Sequence, residues 1–149
     1  MSPLSSLWRN TKEMPQLLRM FCQGGMVAAP ILAVLLVLPL TDWRVNGKQL
    51  PYRELWSSGA GLVMLVFVLT AAAGAWGLAA KTSWSRWAWV AAPVAPLIVA
   101  AVYPRTWFTE ELTRDPYIWL GSFATSAIIF VCLFSVPAVR NYVKSRADA

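Results

Sequence analysis

Hydrophobic residues in this chain are gathered into long runs that contain no charged residue. Four runs lack Asp, Glu, Lys and Arg altogether: residues 20–41, 55–80, 87–104 and 116–139, with 22, 26, 18 and 24 residues. An α-helix rises about 1.5 Å per residue, so about 20 apolar residues cross the hydrocarbon core of a bilayer. Each run is long enough to do so. The pattern predicts four transmembrane helices.

Residues at the ends of the runs agree with this interpretation. Asp115 followed by Pro116 is typical of a helix N-cap and first helical position. Pro93 and Pro96 interrupt the third run, but spanning helices tolerate proline where neighbouring groups bond the freed carbonyls. We therefore expect an all-α membrane protein, a four-transmembrane-helix bundle in one domain over residues 1–149. Its remaining segments are an interfacial segment (1–19), outer loops (42–54 and 105–115) and a tail (140–149).

The first outer loop contains a strong turn signal. Asn46-Gly47 favours a type I′ two-residue β-hairpin, because both central positions need a positive φ. Two short strands are only marginally stable alone, so the apolar face of this hairpin needs a surface to rest on. That surface is the lipid interface, the second outer loop or another protein. The hairpin is then either a lid packed on its own helix bundle or a docking edge for a partner. The predicted register places Trp43 opposite Leu50, Arg44 opposite Gln49 and Val45 opposite Lys48.

The second outer loop carries aromatic residues among charged ones. Thr106 or Thr109, followed by acidic residues, indicates a short interfacial helix. Together the two loops supply the candidate residues for docking a partner, which are Trp43, Val45, Asn46, Gly47, Leu50, Tyr52, Trp107 and Phe108.

Composition limits the chemistry available to the chain. It is 58% hydrophobic and 13% charged, against about 25% charged for a typical soluble domain. It has no histidine, which excludes imidazole metal ligands and histidine-based catalytic arrangements. The four runs hold no ionisable carboxylate or amine, which argues against a proton-coupled exporter. Cys22 and Cys132 both fall inside runs, so we expect no catalytic, cofactor-binding or metal-binding residues.

Lys and Arg are divided unevenly between the two sides of the predicted topology. Eight lie on the side that holds both termini and the second connection, against five on the side of the outer loops. Cytoplasmic segments carry such an excess, so we expect both termini in the cytoplasm and the protein in the inner (plasma) membrane. The net charge of +6 then lies on the cytoplasmic side. Because these residues are few and expected from topology alone, they do not indicate nucleic acid.

Small residues at four-residue spacing mark faces where helix backbones can approach closely. Such a face can pack against another helix of the same chain, against a second copy, or against a subunit of a larger complex. The candidate helix-packing residues are Thr70, Gly74 and Gly77 in the second run and Gly121, Ser122, Thr125 and Ser126 in the fourth.

These features favour a non-catalytic membrane interaction protein, an accessory or assembly subunit of an envelope complex, with toxin-immunity proteins in the same physical class. Its partners would be the lipid bilayer and another membrane or periplasmic protein, or a second copy. The alternative is a passive channel or small carrier for a lipid-linked or neutral substrate. An aspartyl membrane hydrolase using Asp42 and Asp115, at the outer ends of two spans, is the least favoured function.

Overall fold

Helices dominate the computed structural model, which describes residues 3–40, 43–45 and 47–144. The chain alternates between long apolar helices and short elements at their ends. In order these are α1 (Pro3–Lys12), α2 (Gln16–Val37), β1 (Trp43–Val45), β2 (Lys48–Leu50), α3 (Tyr52–Ser57), α4 (Ala60–Ala79), α5 (Ser85–Ala91), α6 (Ala95–Val102), α7 (Trp107–Arg114), α8 (Pro116–Ser135) and α9 (Pro137–Lys144).

Three of the helices are long and apolar enough to cross a membrane: Leu18–Val37 within α2, Ala60–Ala79 and Pro116–Ser135. The third predicted run instead forms α5 and α6, which meet at a bend of 56° and together make a fourth span only if the bent pair is counted as one. The bend follows Ala92 and contains Pro93, whose ring and missing N–H interrupt the helical hydrogen bonds. These helices indicate a membrane protein.

The second predicted run differs from the structure at its start. Residues 55–80 do not form one helix, because the chain breaks between α3 and α4 at Gly59. Gly59 has a φ of +81°, and a Cβ there would lie 2.7 Å from the ring of Tyr103. Both the positive φ and the close ring require glycine. The hydropathy of a run does not indicate the backbone φ of its residues, so this break could not be predicted from the charge-free run.

The long helices approach one another where glycine replaces a side chain. A Cβ on Gly25 of α2 would lie 2.8 Å from the Cβ of Ala75 in α4. Where α4 meets α5, Cβ atoms on Gly74 and Gly77 would lie 2.6 Å from the Trp89 ring and 2.6 Å from the Ser85 Cβ. The predicted small-residue face of α4 therefore packs inside the chain, against α5.

Apolar contacts form two clusters, one at each end of the helices. At the loop end, which we define as the end formed by β1, β2, α3 and α7, the cluster includes Leu36, Leu55, Ala60, Val63 and Phe108. At the terminal end, formed by α1, α9 and the connection between α4 and α5, it includes Met14, Leu18, Cys22, Leu78, Leu133, Val139 and Tyr142.

Hydrogen bonds hold α1 across the terminal end. Asn10 donates through Nδ2 to the carbonyl of Ala79 at 3.0 Å, and its own carbonyl accepts from the Tyr142 hydroxyl at 3.2 Å. Burial first, and then the nearby Cys22 and Glu13, raise the pKa of Tyr142 above its ordinary value, so this hydroxyl remains a donor in alkaline solution where an exposed tyrosine ionises. The described part of the predicted segment 1–19 therefore consists of a helix packed on the bundle, a short corner and the first residues of α2.

Arg19 completes that corner. Its Nε donates to the carbonyl of Thr11 at 3.1 Å, and its Nη2 donates to the carbonyls of Lys12 and Met14. The last carbonyls of a helix have no partner within the helix and carry partial negative charge. One guanidinium therefore caps the C-terminus of α1.

The contact between Gly74 and Trp89 predicts the effect of a single methyl group. We expect Gly74→Ala to weaken the packing of α5 on α4 by about 1–3 kcal/mol, because the Trp89 ring must move. Gly24→Ala is the matched control, because a Cβ there meets nothing within 4 Å and alanine is the better helix former. Thermal unfolding in one detergent compares the two. An unfolding midpoint for Gly74→Ala equal to or above that of Gly24→Ala would contradict the packing described.

Candidate functional site

The hairpin at the loop end has the predicted register. β1 and β2 pair antiparallel, with Trp43 opposite Leu50, Arg44 opposite Gln49 and Val45 opposite Lys48. Gly47 has a φ of +77°, as the second central position of a type I′ turn requires. Asn46, Asp42 and the side chain of Val45 lie outside the described residues.

The apolar face of the hairpin rests on the chain's own helices. Leu50 is 1% exposed, and Trp43 packs against the loop-end cluster. Phe108 of α7 is buried in the same cluster, and Trp107 is half-buried beside it. Hairpin and α7 thus cover the end of the bundle as a lid. Among the docking candidates, Tyr52 and Gly47 are exposed, and the Tyr52 hydroxyl donates to the carbonyl of Val37 at 2.7 Å.

Two threonines fix α7 in place. The Thr106 side chain accepts from the N–H of Thr109, and the Thr109 hydroxyl accepts from the N–H of Thr106 at 2.9 Å, which is a reciprocal capping box. Thr106 also donates to the carbonyl of Ser58 at 2.6 Å. Both threonines suggested by the sequence therefore act as caps, and α7 is tied to the break between α3 and α4.

Beside this lid, α8 stands apart from the α2–α4 pair. Its main packing partners are α5, α7 and α9, whereas α2 packs chiefly on α4, which also packs on α5 and α6. Between them lies an open cleft of about 580 Å³ with almost entirely apolar walls. That volume is within the range of about 300–1,000 Å³ found for ligand pockets. Its walls include Leu32 of α2, Phe67 of α4, Pro96 of α6, and Gly121, Ser122 and Thr125 of α8.

The two predicted small-residue faces have different surroundings. Gly74 and Gly77 of α4 contact α5, and the Thr70 hydroxyl donates to the Val66 carbonyl within its own helix. In contrast, a Cβ on Gly121 of α8 would meet nothing within 4 Å. The Thr125 side chain is exposed, with its hydroxyl donating to the Gly121 carbonyl at 2.8 Å. The small-residue face of α8 is therefore open to the cleft.

Ser126 adds an unusual polar group to α8. Its hydroxyl is buried, and no hydrogen-bond partner for it lies within the described residues. Buried hydroxyls nearly always have partners, so Ser126 is an exception among the described residues of α8.

Sequence reasoning missed the walls that α2, α4 and α6 contribute to the cleft. Leu32 and Phe67 are ordinary apolar residues of spanning helices, and nothing in their type distinguishes them. The available signal was the pair Pro93 and Pro96, which line the cleft at the bend between α5 and α6. A bent helix pair cannot lie against its neighbours along their whole length, so the prolines predict a gap.

Acidic and sulfur groups do not gather anywhere in residues 3–40, 43–45 and 47–144 in the number that a metal ion needs. Asp115, the described member of the candidate aspartyl pair, accepts through Oδ1 from the N–H of Tyr117 at 2.9 Å. That bond caps α8, as the sequence predicts. Cys22 is buried and Cys132 exposed, and both are free thiols.

Comparisons of this chain with profiles of known protein families, with curated proteins and with solved structures find no match. The surfaces of the chain are therefore the basis for its functional assignment.

The role of Asp115 as a helix cap makes a testable distinction. Asp115→Ala should destabilise the protein by about 1 kcal/mol, whereas Asp115→Asn should change stability little, because asparagine caps helices as well as aspartate does. Thermal unfolding of both variants in the same detergent measures this. Equal losses in the two variants would show that the carboxylate charge, and not the cap, stabilises this site.

Proposed function

We propose that this chain is a non-catalytic interaction protein of the inner membrane that receives an apolar transmembrane helix of another membrane protein against α8. The observation that carries the proposal is the open small-residue face of α8. A Cβ added at Gly121 would meet no atom within 4 Å, and Gly121 lines the cleft of about 580 Å³. The chain would then be an accessory or assembly subunit of a larger envelope complex, a class that includes toxin-immunity proteins.

Burial of the spanning helices supports this assignment. In the apolar window of α4, 39% of residues are buried inside the chain, whereas the value for α8 is 11%. Lipid covers large apolar side chains well, but glycine and hydroxyl residues give lipid little to contact and allow another helix to come close. Gly121, Ser122 and Thr125 are residues of this second kind.

A partner within the membrane is favoured over one that docks on the hairpin. The apolar face of the hairpin is already covered, because Leu50 is buried and Trp43 and Phe108 pack in the loop-end cluster. We infer from the excess of Lys and Arg that the terminal end and both termini are cytoplasmic.

A second candidate, a small carrier for a lipid-linked or neutral apolar molecule, rests on the same cleft. Its walls are almost entirely apolar and it is open at the side, so an acyl or isoprenoid chain would fit as well as side chains of a helix. Flux of such a molecule in liposomes that contain only this protein distinguishes the two functions, because the interaction protein requires its partner.

Site-specific photo-crosslinking in native membranes tests the interaction. A benzoylphenylalanine in place of Thr125 should give one discrete protein adduct, because this position faces the open cleft. The same residue in place of Ile31, which is 54% exposed on α2 and outside the cleft, should give lipid adducts. Adducts to lipid alone at both positions would refute the proposal, and an adduct of twice 16.5 kDa would identify a second copy as the partner.

A matched pair of glycine variants sharpens the experiment. Gly121→Leu should reduce the adduct at least tenfold, equivalent to about 1.4 kcal/mol, by blocking close approach to α8. Gly24→Leu, equally open within the chain, should leave the adduct unchanged. Equal unfolding midpoints in detergent would show that neither variant acts through the fold.

A further inference from the structure

The cationic side chains at the terminal end differ in whether they already have hydrogen-bond or ion-pair partners within the chain. Arg19 donates to three backbone carbonyls at the C-terminus of α1. Lys81 forms an ion pair with Glu13 at 2.9 Å, and its Nζ lies 5.0 Å from the centre of the Tyr142 ring. Both side chains have structural partners of opposite or complementary charge.

Arg86, in the first turn of α5, is different. It is half-buried, and its Nε is buried with no hydrogen-bond partner within the described residues. Its guanidinium carbon lies 4.5 Å from the centre of the Phe134 ring in α8. A ring face attracts a cation but does not accept the in-plane hydrogen bonds of a guanidinium. Arg86 is thus oriented by an aromatic ring and retains the capacity to bind an anion.

An aromatic shelf continues from Arg86 along the groove between α5 and α8. Trp87 lies 4.9 Å from Phe134 and 6.0 Å from Phe130, measured between ring centres, and Phe130 and Phe134 stack at 4.7 Å. Trp87 is 57% exposed and Phe130 40% exposed. The shelf therefore presents apolar ring surface toward the surroundings of the bundle, with the charge of Arg86 at its terminal end.

We propose that Arg86 and the shelf of Trp87, Phe130 and Phe134 bind an anionic phospholipid. The guanidinium would donate to the phosphate, and the acyl chain would lie along the rings. Arginine presents a planar set of donors that matches phosphate oxygens, and basic sites between membrane helices bind anionic headgroups.

The position of the site favours a lipid over a soluble anion. Arg86 directly precedes the third charge-free run, and Trp84 and Trp87, both more than half exposed, flank it in sequence. Tryptophan prefers the level of the lipid headgroups. A phosphate at that level is part of a lipid headgroup. The adjoining aromatic rings can contact the acyl chain of a lipid, whereas a free phosphate ion would leave them without a partner.

Binding of matched lipids to the purified full-length protein tests the site. Native mass spectrometry should show phosphatidylglycerol binding about fivefold more tightly than phosphatidylcholine with the same acyl chains, as one Lys or Arg near a membrane surface gives. Phosphatidylglycerol should also raise the thermal unfolding midpoint more than phosphatidylcholine does. An equal affinity for the two lipids would overturn the proposal, and so would inorganic phosphate reproducing the full stabilisation.

Variants assign the preference to this site. Arg86→Gln should remove the preference, and Arg86→Lys should retain part of it, because lysine keeps the charge but not the planar donors. Arg9→Gln removes the same charge from an exposed position on α1 and should leave the preference intact. If Arg9→Gln lowers it equally, diffuse charge attracts the lipid and the assignment is wrong.

A purely structural role of Arg86 gives a different pattern. The last turn of α8 has no basic residue of its own, so Arg86 could serve only to stabilise that helix end. In that case Arg86→Gln would lower the unfolding midpoint in detergent and Arg86→Lys, which keeps the charge, would largely preserve it, while the lipid preference of the folded protein stayed at its original value in both. Native mass spectrometry measures the lipid preference separately from the unfolding midpoint and so distinguishes the two roles.

Discussion

Close backbone approach to α4 is the constraint on which the rest of the structure depends. Without a hydrophobic driving force between helices in lipid, association relies on van der Waals contact over short distances. α4 meets α2 where Gly25 faces Ala75, and it meets α5 where Gly74 and Gly77 face Trp89 and Ser85. These contacts make α4 the most buried of the spanning helices, and the remaining elements are arranged around it.

Hydrogen bonds at the two ends of the bundle add to the glycine contacts between the long helices. Each end of the bundle has its own apolar cluster and its own set of hydrogen bonds from side chain to backbone. At the terminal end Arg19 caps α1, and at the loop end Thr106 ties α7 to Ser58. At the terminal end Leu133 of α8 packs in one cluster with Leu18 and Leu78 of α2 and α4. Toward the loop end the cleft separates α8 from these helices, and Trp43 and Phe108 of the lid form part of its walls.

Much of this arrangement could be predicted from the sequence because it depends on local chemistry. Charge-free length predicts spanning helices, Asp115-Pro116 predicts the start of α8, and Asn46-Gly47 predicts the hairpin register, since a two-residue turn allows only one pairing of the strands. The break at Gly59, the bend at Pro93 and the cleft could not be read in the same way. They depend on which side chain lies opposite, such as Tyr103 against Gly59, and the spacing of apolar residues does not contain that information.

The hydrogen bond between Thr106 and the carbonyl of Ser58 joins residues 48 positions apart. During synthesis the break between α3 and α4 is therefore complete before its partner on α7 has been made. The Ser58 carbonyl can accept this bond only after α5 and α6 have been synthesised and have brought residue 106 back beside it. The loop end of this protein is joined by a contact that the earlier part of the chain cannot make alone.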